Sequence, residues 1–144
     1  PNWYLDLTLL MNYWEGNSRA YHHTAPINMN YALYAALKLV LDEGLEHVWR
    51  RHRETHDYLV KELEALGFSM LVEEPYRLPM LNAVVIPDGV DDKEVRGRLL
   101  EEHRIEIGGG LGALAGKIWR VGIMGHTARK SSVDSLVAAL RKIM

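Results

Sequence analysis

Two short runs of this 144-residue chain hold the side chains best suited to chemistry. The first is Tyr21-His22-His23-Thr24, which gathers hydrogen-bonding groups ahead of Ala25-Pro26. Pro26 pushes Ala25 towards extended geometry, so the run reads as a loop leading into a helix. Such loops collect anions, because the first N–H groups of a helix have no partner within it. Capping and turn formation are the competing use of the same hydroxyls. The second run centres on Arg120, flanked by Trp119 and Val121 in a stretch that reads as a strand. A cation among apolar neighbours needs a partner. Either Glu106 or another carboxylate of the chain pairs with it, or its guanidinium fork binds a ligand's carboxylate bidentately.

Other groupings carry less. Gly108-Gly109-Gly110-Leu111-Gly112 with Gly116-Lys117 suggests a phosphate loop. The spacing is wrong for G-x-x-x-x-G-K-[ST], Ile118 stands where Ser or Thr belongs, and a strand follows instead of a helix. A flexible strand-to-strand loop is the better reading. His52 and His56 have the i, i+4 spacing of zinc ligands. Both fall on an apolar helical stripe, with His47 one turn earlier, so polar atoms packed between helices are the expected use. No Ser/His/Asp set emerges from the spacing.

The elements that must position these groups follow from hydrophobic periodicity. Residues 5–14 are apolar and aromatic and read as a short helix or buried segment, closed by the turn cluster Glu15-Gly16-Asn17-Ser18. Asn28 or Asn30 can cap the next helix, which carries Leu33, Tyr34, Leu37, Val40 and Leu41 and stops at Gly44. A longer helix covers residues 45–66, with Leu45, Trp49, His52, His56, Leu59, Leu63 and Leu66 on one stripe; Gly67 ends it. Strands are expected over 68–72, 81–86, 105–107 and 118–123. Pro87-Asp88-Gly89 makes a turn, and Asp91 caps a helix over 92–102. Ser131 or Ser132 opens a final helix with Val133, Leu136, Val137 and Leu140 inward.

The fold class is therefore α+β: a small antiparallel-type sheet with helices on one face, preceded by helices with no sheet of their own to cover. Hydrophobic content of 48%, charged content of 25% and a net charge of -2 are those of an ordinary globular domain without a nucleic-acid footprint. With no cysteine, disulfide frameworks, zinc–thiolate sites and a cysteine nucleophile are excluded. No apolar run reaches the ~18 residues of a membrane helix. The start, Pro1-Asn2-Trp3-Tyr4-Leu5, lacks the basic n-region of a signal peptide. It also lacks Met, so the chain is expected to start inside a longer protein.

Taken together, the two chemical runs resemble motifs of one family. Tyr21-His22-His23-Thr24-Ala25-Pro26 resembles the Y-H-H-T-x-P motif of class V, fold type I aminotransferases of the alanine–glyoxylate, serine–pyruvate and serine–glyoxylate group. Ile105-Glu106-Ile107-Gly108-Gly109-Gly110-Leu111-Gly112, then Gly116-Lys117-Ile118-Trp119-Arg120-Val121-Gly122-Ile123-Met124-Gly125, resembles the same family's I-x-I-x-G-G-L-G … G-K-x-x-R-x-G-x-x-G block. Tyr4-Leu5-Asp6-Leu7, Gly44-Leu45-Glu46, Trp49-Arg50-Arg51-His52-Arg53 and Arg77-Leu78-Pro79 match in order around them.

The resemblance implies pyridoxal 5'-phosphate as cofactor, amino acid and 2-oxo acid substrates, and a homodimer. Tyr21 and Thr24 would reach across that dimer to the cofactor phosphate of the neighbouring subunit. Arg120 would bind the substrate's α-carboxylate. It also implies the end of a large cofactor-binding domain over 1–44, a connecting helix over 45–67 and the small domain over 68–144. The family's Schiff-base lysine and the carboxylate facing the pyridinium nitrogen lie upstream. Lys38, Lys61, Lys93, Lys117, Lys130 and Lys142 all fall outside that context, so no catalytic residue is assigned here and no metal is implied.

The expected function is transfer of an amino group from alanine or serine to glyoxylate or pyruvate by the complete enzyme. The same segment of a 2-aminoethylphosphonate aminotransferase is a second reading. A non-catalytic fragment or split half that binds a partner chain is a third. The expected location is cytoplasmic, with the peroxisome also open, although Lys142-Ile143-Met144 does not match S-K-L. Neither nucleic acid nor membrane is expected as a partner. Incubated with pyridoxal phosphate and reduced with borohydride, the chain is expected to show no stoichiometric adduct by intact mass; an adduct at one lysine would reverse this assignment.

Overall fold

The computed structural model describes residues 2–15, 18 and 20–144. Of the turn expected at residues 15–18, Gly16 and Asn17 lie outside the described residues, as do Pro1 and Arg19. By contacts the chain separates into two compact units, Pro1–Asp42 and Glu43–Met144.

The first unit is helical. Asn2 caps a 3-10 turn at Trp3–Leu5, its Oδ1 accepting from the Tyr4 N–H at 3.1 Å. Asp6 does the same for α1 (Leu7–Leu10), accepting from the N–H groups of Thr8 and Leu9. A second 3-10 turn, Met11–Tyr13, follows. The segment is thus helical, as its apolar run suggests, but it is not buried: Leu7 is 70% and Trp14 66% exposed. Helix α2 runs over Ile27–Glu43 and buries no residue. It begins directly after Pro26, so Asn28 and Asn30 sit inside it rather than capping it. The reason is local: the Pro26 carbonyl already accepts from the Asn30 N–H at 3.0 Å, and proline's fixed φ suits the helix entrance.

The second unit opens with α3 (Leu45–Ala65), entered through Gly44 at φ +84°. From Thr55 onward its stripe is buried through His56, Leu59, Val60 and Leu63. Leu45 and Trp49, on the same stripe, stay exposed. The helix stops in a Schellman arrangement at Gly67: the Phe68 N–H bonds the Leu63 carbonyl and the Gly67 N–H bonds that of Glu64. Phe68 and Leu63 then meet in the core.

Four antiparallel strands follow, β1 (Ser69–Met70), β2 (Leu81–Val85), β3 (Gly108–Gly109) and β4 (Ile118–Gly122), in the order β1-β2-β4-β3. Helix α4 (Asp92–His103), capped by Asp91, and α5 (Lys130–Ile143) join α3 on one face. Side chains alternate along a strand. Val84, Trp119 and Val121 enter the core with Leu59, Leu99, Val133 and Leu136, which leaves Ala83 and its register partner Arg120 on the opposite face.

The strand expected over 68–72 shortens to Ser69–Met70, and two further boundaries differ from expectation. The third strand is not at Ile105–Ile107 but at the glycines Gly108–Gly109, which pair with Arg120 and Trp119. Arginine side chains of neighbouring elements lie against those glycines, so that a Cβ at either one would meet Arg120 or Arg96 in a tight contact. Helix α5 starts at Lys130, with extended Arg129 as its N-cap and no side-chain bond there, so neither Ser131 nor Ser132 caps it.

Helices α3 and α5 are also joined outside the core, where the Tyr58 hydroxyl donates to the Asp134 carboxylate at 2.6 Å. That bond, the largest influence, pushes the Tyr58 phenol up from 10.0 to about 12. A raised value in the folded chain means that the bond's stabilisation is complete below pH 10 and is lost as pH rises through about 12. Subtracting the phenolate titration of Tyr58→Phe from that of the parent chain is expected to leave one group titrating near 12; one titrating near 10 would deny the linkage.

Candidate functional site

The Tyr21–Thr24 loop owes its shape to one buried-side tyrosine. The Tyr13 hydroxyl accepts from the N–H groups of His22 (3.0 Å) and His23 (2.8 Å) and donates to the His23 carbonyl at 2.6 Å. The Trp3 ring stacks on His22 with centroids 4.1 Å apart, and the Tyr4 ring lies 4.6 Å from that of His23. The two imidazoles meet through their Nδ1 atoms at 2.7 Å, so one must donate and the other accept. His22 Nε2 is buried with no hydrogen-bond partner among the described residues.

Both histidines are half-buried, and Tyr21 and Thr24 flank them. Tyr21 and Thr24 are exposed, and their hydroxyls hydrogen-bond each other at 2.5 Å, with either one as the donor. The candidate group of four therefore divides: the histidines build the loop, and the flanking hydroxyls face solvent as a pair. One O–H is engaged in that mutual bond, which leaves the other to donate to an outside acceptor. The loop runs directly into α2, whose N-terminal end also favours negative charge. Tyr13, Trp3 and Tyr4 were not singled out from the sequence as loop supports. The signal was the density of aromatic residues over 3–14, which has no apolar face to fill.

Arg120 belongs to the other unit. It is half-buried on the helix-free face of the sheet, and its Nε donates to the Gly109 carbonyl at 2.8 Å. None of the ion pairs among the described residues includes it, so the pairing with Glu106 that the sequence left open does not form. Its Nη atoms make no hydrogen bond to other described residues. The guanidinium is thus fixed by Nε and presents its end, the geometry for two parallel bonds to a carboxylate.

The strand end beyond Arg120 is braced by α3. The Nη1 of Arg51 donates to the carbonyls of Gly125 (2.8 Å) and Ala128 (3.1 Å), while its Nε and Nη2 hold Glu43. That bonded guanidinium lowers the Glu43 carboxyl below its ordinary range. His52 completes the brace: its Nδ1 bonds the Val48 carbonyl at 2.7 Å, and its Nε2 accepts from the Gly125 N–H at 3.0 Å. His56, 26 residues from its partner, places Nδ1 2.6 Å from Asn82 Oδ1, and Asn82 Nδ2 donates to the Val121 carbonyl. Both histidines of the i, i+4 pair therefore join elements as polar atoms. The glycine-rich run forms β3 and then the connection to β4 through a 3-10 turn, Gly112–Leu114, with Gly112 and Gly116 at positive φ.

The family model described as "Aminotransferase class-V" matches residues 6–134. The alanine–glyoxylate aminotransferase of Callithrix jacchus is 42% identical across 99% of this chain and 35% of its own length. The (S)-ureidoglycine–glyoxylate transaminase of Bacillus subtilis is 40% identical across 98% of this chain and 34% of its own. A crystal structure of an alanine–glyoxylate aminotransferase from Nostoc sp. superposes with a TM-score of 0.90 at 58% identity, covering 99% of this chain and 37% of that one. The chain thus spans about a third of the length of these relatives.

Because one hydroxyl serves both histidine amides, Tyr13→Phe is expected to speed hydrogen exchange at His22 and His23 about two- to tenfold, the net worth of an ordinary hydrogen bond. Unchanged exchange at both amides would show that the loop holds its shape without Tyr13.

Proposed function

The chain belongs to the class-V aminotransferases, and from that premise we propose that it contributes phosphate- and carboxylate-binding groups to a pyridoxal-phosphate transaminase. In this reading the complete protein moves an amino group from alanine or serine to glyoxylate or pyruvate. Both kinds of relative above carry glyoxylate in their names, which favours glyoxylate as the acceptor.

The hydroxyls present suit the cofactor's phosphate. The exposed hydroxyls of Tyr21 and Thr24 are hydrogen-bonded to each other; a phosphate would take the O–H that this bond leaves over and, by opening the bond, the second one as well. Hydrogen bonds to a charged acceptor are worth about 1.5–3 kcal/mol each. The two residues would serve the cofactor of the neighbouring subunit in a homodimer. Pyridoxal phosphate, when bound, supplies the electron sink that lets an amino group leave one carbon skeleton for another. The reading puts the Schiff-base lysine outside these 144 residues, so the chain alone does not turn over substrate. It also assigns residues 1–44 to the end of the large domain, 45–67 to the connecting helix and 68–144 to the small domain.

The observation that carries the proposal is the state of Arg120. Its Nε is taken by a backbone carbonyl, and no carboxylate of the described residues occupies its other end. A half-buried guanidinium in this state can bind the α-carboxylate of the amino donor and, in the second half of the reaction, that of the 2-oxo acid. The planar fork would orient both alike, so that their reacting carbons arrive at one place.

Titration of the chain with sodium glyoxylate, against sodium chloride at equal ionic strength, tests this through the backbone amide resonances of β3 and β4, which parent and variant share. A saturable shift is expected, with Arg120→Ala weakening the affinity about tenfold or more. Equal affinity in the variant would remove Arg120 from the site.

A further inference from the structure

The glycines beside Arg120 lack the usual reason for being glycine. Gly112, Gly116 and Gly125 stand at positive φ, where other residues are strained. Gly108 and Gly109 do not appear among the positive-φ residues, and they pair as an ordinary strand. Their backbone would accept alanine. What a side chain would meet there is two arginines, at distances that oblige them to shift.

A Cβ at Gly108 would lie 3.2 Å from Arg120 Nη2, 3.4 Å from its Nε and 3.5 Å from its Cζ. The guanidinium therefore rests across the bare Cα of its register partner. On the next residue the contact comes from Arg96: a Cβ at Gly109 would lie 3.3 Å from its Cζ and Nη2. Arg96 cannot withdraw freely, because its Nε and Nη2 hold the Asp92 carboxylate at 2.7 and 2.9 Å. The same carboxylate accepts from the Trp119 indole at 2.9 Å, and the bonded Arg96 holds Asp92 below its ordinary range. Gly109 is thus pressed by an anchored guanidinium while its carbonyl accepts the Nε of Arg120.

We infer that Gly108 and Gly109 are positioning residues for Arg120: a bare backbone seat that fixes Nε and directs the two terminal nitrogens at an incoming carboxylate. The inference rests on Arg120 as the carboxylate-binding group. Gly110 has a different task. A Cβ there would lie 1.9 Å from the Leu114 carbonyl oxygen, so it is required by the hairpin connection itself.

Gly108→Ala is the variant that separates these roles, since its methyl meets the end of a flexible side chain and not backbone. Two quantities are read on the whole chain: exchange of the Arg120 Nε–H with solvent, without ligand, and affinity for glyoxylate. Exchange is expected to quicken and affinity to fall about tenfold, with the unfolding midpoint little changed. In an Arg120→Lys background, which removes the guanidinium, adding Gly108→Ala is expected to change glyoxylate affinity less than twofold.

If the parent binds glyoxylate and Gly108→Ala matches it in affinity and exchange, the seat is disproved while the carboxylate reading stands. Faster exchange with no glyoxylate binding by the parent would support the seat and overturn the carboxylate reading. Should Gly108→Ala unfold the chain, recovery of the fold by Arg120→Lys would support the inference. Continued unfolding in that background would overturn it, since the methyl would then be clashing with something other than the guanidinium.

Discussion

The alternation of side chains along β4 is the constraint on which the second unit depends. Consecutive residues of a strand face opposite ways. Trp119 and Val121 go into the core, 1% and 4% exposed, and Arg120 between them must face away. A slip of one residue would bury the guanidinium under three helices and expose the indole. Register is held on both sides, by Val84 opposite Trp119 on β2 and by Gly109 opposite it on β3. It is also held by the indole's bond to Asp92 on α4. The placement of Arg120 is therefore a by-product of packing Trp119, the largest of the fully buried side chains.

Much of this was legible in the residues. The long helix, its glycine stop, the cap at Asp91 and the inward face of α5 all follow from spacing that repeats over several turns. The antiparallel sheet with helices on one face follows from the order of the segments. The misplacements share a cause. Ile105-Glu106-Ile107 has the composition of a strand, yet the strand is two glycines. Nothing in local propensity favours glycine in a sheet. The preference comes from arginines that reach the site from α4 and β4, which only the assembled fold reveals. Likewise Asn28 and Asn30 have the chemistry of caps, but Pro26 had already opened the helix.

The candidate site was legible in type and not in arrangement. Tyr21, His22, His23 and Thr24 look alike as hydrogen-bonding residues in a row. Their division into half-buried imidazoles and exposed hydroxyls depends on Tyr13, whose hydroxyl engages backbone ten residues away. Arg120 was ambiguous between an internal ion pair and a ligand. Tertiary structure removes the internal ion pair, since no carboxylate of the described residues pairs with it. Arg51, Arg96 and Arg98 all found acidic partners, and Arg120 did not.

His52 carries a consequence of another kind. One of its ring nitrogens faces a carbonyl oxygen and the other faces an N–H. The position therefore asks for opposite polarity at the two ends of one flat group, irrespective of charge. A carboxylate would repel the carbonyl, and an ammonium would face the N–H with nothing to offer it. A neutral imidazole satisfies both, and so in principle does a carboxamide. Substitutions that survive at position 52 should then be sorted by whether they combine a donor and an acceptor, so that glutamine outranks lysine and glutamate even though all three are of similar length.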